Sequence, residues 1–252
     1  MKYNRQLKRI IIAGYPKSGN TWLTRLVAQL CDAPASGFLD AQNEIVNDIV
    51  TEGFHRNSEI EIVKTHHWHD TLPKSNAKVI YIVRDPRQIL LSASRYFPKA
   101  PYNAIQKCHL LERTCCAFVN RDLAAWYACM VHGSLEPTNW LRKSWQNHVE
   151  DFLGDSRVLV VNYEKLRMQG ERELRKIANF LDLDISDTSI TKCNNDQSFD
   201  VKKKKFLSQG DTAKAEFLKT GSIDSWKNEL PVIFRIMLKI RFKKSIKKIR
   251  SR

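Results

Sequence analysis

The chain has 252 residues, enough for one large domain with a sizeable core or for two small ones. Its 42% hydrophobic and 27% charged content excludes a disordered chain. Lys and Arg number 42 against 27 Asp and Glu, a net charge of +15, so anionic partners are expected: a phosphorylated small molecule, a nucleic acid or an acidic membrane surface.

In chain order, Arg9–Ala13 is a short continuous apolar run, as in a strand buried on both faces. After a glycine-containing turn, Trp22, Leu23, Leu26, Val27 and Leu30 recur at helical spacing. Further strands are predicted at Glu61–Thr65, Val79–Val83 and Val158–Val161. Helical stripes are predicted at Ile89, Leu90, Ala93, at Leu141, Trp145, Val149, Phe152, and at Leu174, Ile177, Ala178, Leu181. Strands separated by helices imply βαβ units, so the expected fold is α/β: one domain with a central parallel sheet flanked by helices, of the P-loop nucleotide-binding type. Ligands of such sheets bind at the carboxyl ends of the strands. Segment 95–140, rich in aromatics and cysteines and weak in pattern, is the expected excursion from the sheet and a candidate lid or acceptor wall.

The first strand–turn–helix carries the most information. Gly14-Tyr15-Pro16-Lys17-Ser18-Gly19-Asn20-Thr21 has the glycine spacing and final threonine of a phosphate-binding loop, but Asn20 stands where the lysine of GxxxxGK[ST] belongs. Backbone N–H groups at Gly19 and the first helical turn can still converge on an anion, with Lys17 as the cation. The missing lysine argues against an ATPase or GTPase, which needs that charge on the β- and γ-phosphates.

Tyr15–Trp22 resembles the YPKSGTTW loop of sulfotransferases that use 3′-phosphoadenosine 5′-phosphosulfate (PAPS). Tyr81-Ile82-Val83-Arg84-Asp85-Pro86, with Ser92 eight residues after Arg84, is similar to that family's 3′-phosphate element. Val63-Lys64-Thr65-His66 resembles the strand that ends in its catalytic histidine. Trp145–Val149 and Val158–Glu164 follow the family's next helix and strand end. Phe217–Gly221 with Trp226-Lys227 is similar to the segment that closes over the nucleotide. The resemblance spans roughly residues 9–230. It departs at Asn20 for threonine, Asp85 for asparagine, Lys219-Thr220 for Arg-Lys and Asp224-Ser225 for Gly-Asp.

The resemblance implies transfer of a sulfuryl group from PAPS to a hydroxyl or amine of an unidentified small-molecule, glycan or lipid acceptor. His66 would be the general base, Lys17 the cation at the bridging oxygen, and Lys64 an orienting or phosphate-contacting neighbour on the same strand face. Lys17, Ser18, Gly19, Asn20, Thr21 and Trp22 would hold the 5′-phosphosulfate end. Arg84, Ser92, Lys219 and Gly221 would hold the 3′-phosphate. Trp22, Phe199 and Tyr163 would frame the adenine. No metal is expected: cations come from side chains, the six cysteines form no CxxC pair, and alternation along a strand splits His66, His67 and His69 between faces. His148 is expected to be structural, packing its helix under the acceptor site.

The charge is uneven. Nine basic and no acidic residues fall in 235–252, leaving the rest with 33 basic against 27 acidic. Phe234, Leu238, Phe242, Ile246 and Ile249 recur at helical spacing between these lysines and arginines. Residues 231–252 therefore read either as a basic amphipathic helix lying on an anionic membrane through 234–252, or as a helix docked on the body, the domain proper being 1–230. No apolar stretch approaches the roughly 20 residues of a membrane span, and the run after MKYNRQLKR is too short for an export signal, so a cytoplasmic protein, peripheral at the inner membrane surface in the first reading, is expected. Two other functions stay open at this level: a P-loop small-molecule kinase or NTPase, and a non-enzymatic binder of anionic membrane or nucleic acid through the tail. No nucleic acid is expected for the leading reading.

Overall fold

A computed structural model describes residues 9–49, 51, 60–73, 76–117, 119–136, 138–212 and 221–250. Arg9–Ala13 forms β1, whose Ile10, Ile11 and Ile12 are fully buried, as a two-faced interior strand requires. It pairs in parallel with Glu61–Thr65 (β4) on one side and Ala77–Val83 (β5) on the other. Leu159–Asn162 (β6) adds in parallel to β5. Ala35–Leu39 (β2) adds in parallel to β4, and Ile45–Val46 (β3) is an antiparallel edge, giving the order β3-β2-β4-β1-β5-β6.

The sheet is thus mixed rather than wholly parallel, because the hairpin from β2 to β3 turns back at once. Neither strand was expected: Ala35-Ser36-Gly37-Phe38-Leu39 shows no apolar run, and its pairing with β4 shifts register between Ala35 and Gly37. Gly37 sits at φ 141, and a Cβ there would meet the Val46 carbonyl oxygen at 2.4 Å, so glycine is what lets the edge strand close.

Asn20–Leu30 (α1) follows β1, and Pro86–Tyr96 (α2) follows β5, capped by Asp85 accepting from the Arg87 amide with Pro86 in the first turn. Segment 95–140 folds into Leu110–Ala117 (α3) and Arg121–His132 (α4) after a 3-10 turn over Tyr102–Lys107. Residues 124–131 of α4 are all buried in the core, while Arg95, Tyr96, Phe97 and Trp140 at the segment's ends line the cavity. The stripe expected from Leu141 is split. Leu141 ends a separate 3-10 turn, and Trp145–Leu153 (α5) starts at the Ser144 cap. Tyr163–Met168 (α6), Gly170–Phe180 (α7), Asp187–Asp196 (α8) and Phe199–Ser208 (α9) complete the far face.

The C-terminal residues form two helices, Val232–Arg241 and Lys243–Arg250. Phe234, Leu238, Phe242 and Ile249 are buried in the same core as Tyr15, Tyr127 and Trp145, with Ile246 packed against it. The apolar stripe that a membrane-lying tail would present is therefore spent on docking, the second of the two readings of 231–252. Val232, Ile236 and Ile240 on the other side are exposed. Among the described residues no helix is long and apolar enough to cross a membrane.

Candidate functional site

β1, β4 and β5 are neighbours whose carboxyl ends open at one edge, and the turns leaving them converge there. The turn from β1 into α1 is tightly shaped. Lys17 adopts φ 70 and Gly19 φ 106. A Cβ on Gly19 would lie 2.7 Å from the Tyr163 ring, so the glycine permits both the backbone angle and the close approach. Helix α1 starts at Asn20 with no side-chain cap, leaving its first amides to face an anion.

Asn20, which replaces the NTPase lysine, turns inward. Its amide donates to the carbonyls of Gly14 (3.3 Å) and Thr65 (3.1 Å), tying the loop to the end of β4. It is a structural tie rather than a loop cation. Lys17 instead places its ammonium 3.2 Å from the centre of the Tyr96 ring. Arg84 lines the cavity and, among the described residues, its buried Nε has no hydrogen-bond partner, as a donor of a ligand cradle would; Ser18 Oγ also lacks one, but Ser18 does not line the cavity.

His66 lines the same cavity just beyond β4. Its Nδ1 lies 2.8 Å from the Gly14 carbonyl oxygen, which can only accept, so Nδ1 carries the proton and Nε2 the lone pair. Burial, then the neighbouring Lys64 charge, holds its pKa well below the ordinary histidine range. Beneath it, the buried His148 of α5 donates Nε2–H to the His66 carbonyl (3.1 Å) and accepts from the Tyr81 hydroxyl (2.9 Å). His67 and His69 do not join it: His67 packs on Phe38, and His69 pairs with Asp155 at 2.9 Å. Phe38, His66 and Trp140 form an aromatic group with centroids 5.0 to 5.7 Å apart.

Lys64, two residues before His66, lines the cavity too. Its ammonium is ion-paired with Asp48 and lies 3.3 Å from Thr21 Oγ1; burial lowers its pKa. Arg84, at the end of β5, donates to the carbonyls of Lys17 and Ser222 (3.1 Å each) and stacks 4.0 Å over Tyr163. The Asp85 carboxylate pairs with Arg87, so it leaves Arg84 to the cavity. Trp22, Tyr163 and Phe199 cluster at 5.3 to 5.6 Å, and all three line the cavity. The Tyr163 phenol is engaged: it donates to the Gly221 carbonyl at 3.3 Å. Ser92 and Gly221 line the same cavity. Lys219 lies outside the described residues.

The cavity also draws on Asp48, Gln88, Tyr96, Trp140, Ser222 and Ser225, which sequence reasoning missed. Gln88 and Tyr96 had a signal, lying one helical turn either side of Ser92 on the same face of α2. Trp140 and Ser222 had none, since one arrives on an isolated 3-10 turn and the other on an irregular segment.

The sequence pattern of the sulfotransferase domain matches residues 7–249. The mouse protein Sulfotransferase 1B1 is 25% identical over 248 residues, covering 87% of this chain and 76% of that protein. WSCD family member GA21586 of Drosophila pseudoobscura is 28% identical over 183 residues, covering 71% of this chain and 52% of that protein. Among solved structures, mouse sulfotransferase SULT7A1 complexed with PAP superposes with a TM-score of 0.69 at 22% identity, covering 98% of this chain and 87% of the other. Retinol dehydratase in a complex with retinol and PAP does so at 0.64 and 16% identity, covering 95% and 81%.

Proposed function

The chain belongs to the sulfotransferase domain family, and from that premise we propose that it moves the sulfuryl group of PAPS onto a hydroxyl of a small acceptor, with His66 as the base. The observation that carries the assignment is the hydrogen bond from His66 Nδ1 to the Gly14 carbonyl. It fixes the tautomer whose Nε2 accepts a proton at the cavity. The acceptor oxygen forms a bond to sulfur, the bond from sulfur to the bridging phosphate oxygen breaks, and the hydroxyl proton passes to Nε2. Negative charge grows on the departing phosphate, where Lys17 and the first amides of α1 supply positive charge. Lys64 reaches the same space from the β4 side and shares its charge with Asp48.

Arg84 and Ser92 hold the 3′-phosphate in this reading, with Lys219 and Gly221 beside them. Trp22 and Phe199 frame the adenine. Support for a doubly phosphorylated nucleotide comes from the orphaned Arg84 donor at the cavity and from similar folds solved with PAP. The aromatic group around His66 favours a small, partly apolar acceptor over a glycan. The reading includes a cytoplasmic setting, no catalytic metal, and contact with anionic membrane through the outer C-terminal face. That last part rests on exposed Ile236 and Ile240 among basic residues.

Thermal shift with adenosine 3′,5′-bisphosphate, ATP–magnesium and GTP–magnesium tests the nucleotide. Stabilisation by the bisphosphate alone is expected, and stabilisation by ATP–magnesium alone would overturn the assignment. Flotation on anionic vesicles, compared with an Ile236→Ser/Ile240→Ser chain, tests the membrane part; equal flotation removes it.

A further inference from the structure

Away from the cavity, three metal-ligating side chains meet where α3 lies against the end of α4, with a fourth, Cys116, beside them. We propose that Cys108, Glu112, Cys116 and His132 form a zinc site that clips α3 to α4. The donor atoms of Cys108, Glu112 and His132 all lie within 4.8 Å of one another, with His132 Nε2 and Glu112 Oε2 at 3.1 Å. The buried Cys116 thiol neighbours that of Cys108 outside this three-donor group, and would swing in as the fourth ligand. Cys116 stands one helical turn after Glu112, on the same face of α3.

Zinc bonds of about 2.0–2.3 Å set tetrahedral edges of roughly 3.3–3.8 Å between such donors, so for Cys108, Glu112 and His132 closure asks only a side-chain adjustment on the order of 1 Å. Two thiols and an imidazole select a borderline-soft ion over magnesium or calcium, which want oxygen throughout. The donors are also prepared. Glu112 accepts from the Tyr127 hydroxyl at 3.2 Å and the His109 amide at 3.1 Å, which orients its carboxylate. Binding would release both thiol protons to solvent and leave the neutral imidazole and the carboxylate as the other two ligands.

The packing of α3 gives the clip a purpose. Within this helix only Cys116 is buried, and Leu110 and Leu111 are 80% and 81% exposed. A helix with so little apolar burial is held by whatever joins its inner face to α4. That inner face carries Glu112 and Cys116. No CxxC pair announces this site: its C-x3-E-x3-C spacing runs from the residue after the 3-10 turn into α3 and is closed by a histidine sixteen residues later.

The test uses the full chain purified without chelator. Elemental analysis is expected to find one zinc per chain. Cobalt(II) added to the stripped chain should give thiolate-to-metal charge-transfer absorption saturating at one equivalent. Cys108→Ser, Cys116→Ser and His132→Ala should each weaken cobalt binding at least tenfold, while Cys115→Ser, at the neighbouring position, leaves it unchanged. Zinc chloride should raise the Tm of the stripped wild-type chain and not that of His132→Ala. If a variant fails to fold, the wild-type titration decides alone: no charge-transfer band overturns the proposal. So does a band that survives loss of both Cys108 and Cys116, or a Cys108–Cys116 disulfide in chain purified under thiol reductant.

Discussion

The imidazole of His148 donates to the backbone carbonyl of His66 at 3.1 Å, on the opposite side of that residue from the ring's own bond to Gly14. A carbonyl only accepts, so the His148 proton is fixed on Nε2, and its Nδ1 takes the Tyr81 hydroxyl proton at 2.9 Å. The base is therefore gripped at backbone and ring by groups on three elements. His66→Asn should keep the fold and the thermal shift with adenosine 3′,5′-bisphosphate yet lower sulfuryl transfer about 10²–10⁴-fold. Equal loss of nucleotide binding and transfer would mean that His66 serves the pocket rather than the proton.

The pH profile of transfer carries a related expectation. Burial first, and Lys64 second, hold the His66 pKa well below the ordinary 6.5, so the base is already neutral there. The acid limb of kcat/KM should fall below the histidine range. Lys64→Met removes a nearby positive charge and should move that limb upward in pH. A limb that stays in place would show that Lys64 does not act on the base.

His148 adds a stability term whose sign follows from its burial. Its folded pKa is lowered to about 4 from 6.5, so between those values the unfolded chain binds more protons than the folded one. The fold should lose stability as pH falls from about 7 to about 4, by an amount on the order of 3 kcal/mol from this residue. His148→Gln should flatten that part of the curve of unfolding free energy against pH, whatever it does to the plateau. An unchanged slope would place the acid sensitivity elsewhere.

What the sequence disclosed and what it hid divide along a physical line. β1, β4, β5 and β6 are short apolar runs in the parallel part of the sheet, and each was legible within two residues at its ends. β2 was not, because a bulged edge strand built around Gly37 needs neither an apolar run nor alternation. The loop residues Lys17 to Trp22, His66 and Arg84 were legible because they stand at strand ends within recognisable spacings. Asp48 and Ser222 reach the cavity from irregular segments and Trp140 from an isolated 3-10 turn, where local sequence does not report a tertiary neighbour. The C-terminal stripe was read correctly as amphipathic, but amphipathicity does not say which apolar surface receives it.

Gly19 offers a steric test. Gly19→Ala puts a methyl group 2.7 Å from the Tyr163 ring and a side chain at φ 106. The strain should cost about 1–3 kcal/mol. Because the loop cannot keep its shape, nucleotide binding should fall further than stability alone explains. Full binding by a merely destabilised variant would show that the loop tolerates another geometry.

Arg84→Lys tests the 3′-phosphate role. The lysine keeps the charge and loses the planar fork that now donates to the Lys17 and Ser222 carbonyls and stacks on Tyr163. Affinity for adenosine 3′,5′-bisphosphate should drop about tenfold or more, in line with the loss of a charge-assisted hydrogen bond. Affinity for adenosine 5′-phosphate, which lacks the 3′-phosphate, should change much less. A parallel loss for both nucleotides would move Arg84 from the 3′-phosphate to the loop's architecture.

The two faces of the Val232–Arg241 helix should answer oppositely to substitution. Phe234 and Leu238 are fully buried and share a core with Tyr127, whose ring lies 5.4 Å from that of Phe234. Phe234→Ala should cost about 3–5 kcal/mol, and Leu238→Ala about 2–5 kcal/mol, in chemical unfolding. Ile240→Ser, at a position 71% exposed, should change stability by about 0.5 kcal/mol or less. Truncation at Arg235 removes Leu238, Phe242 and Ile249 from the core together, so it should unfold or aggregate the chain rather than release an intact body. A truncated chain with unchanged unfolding behaviour would mean that these helices do not dock in solution.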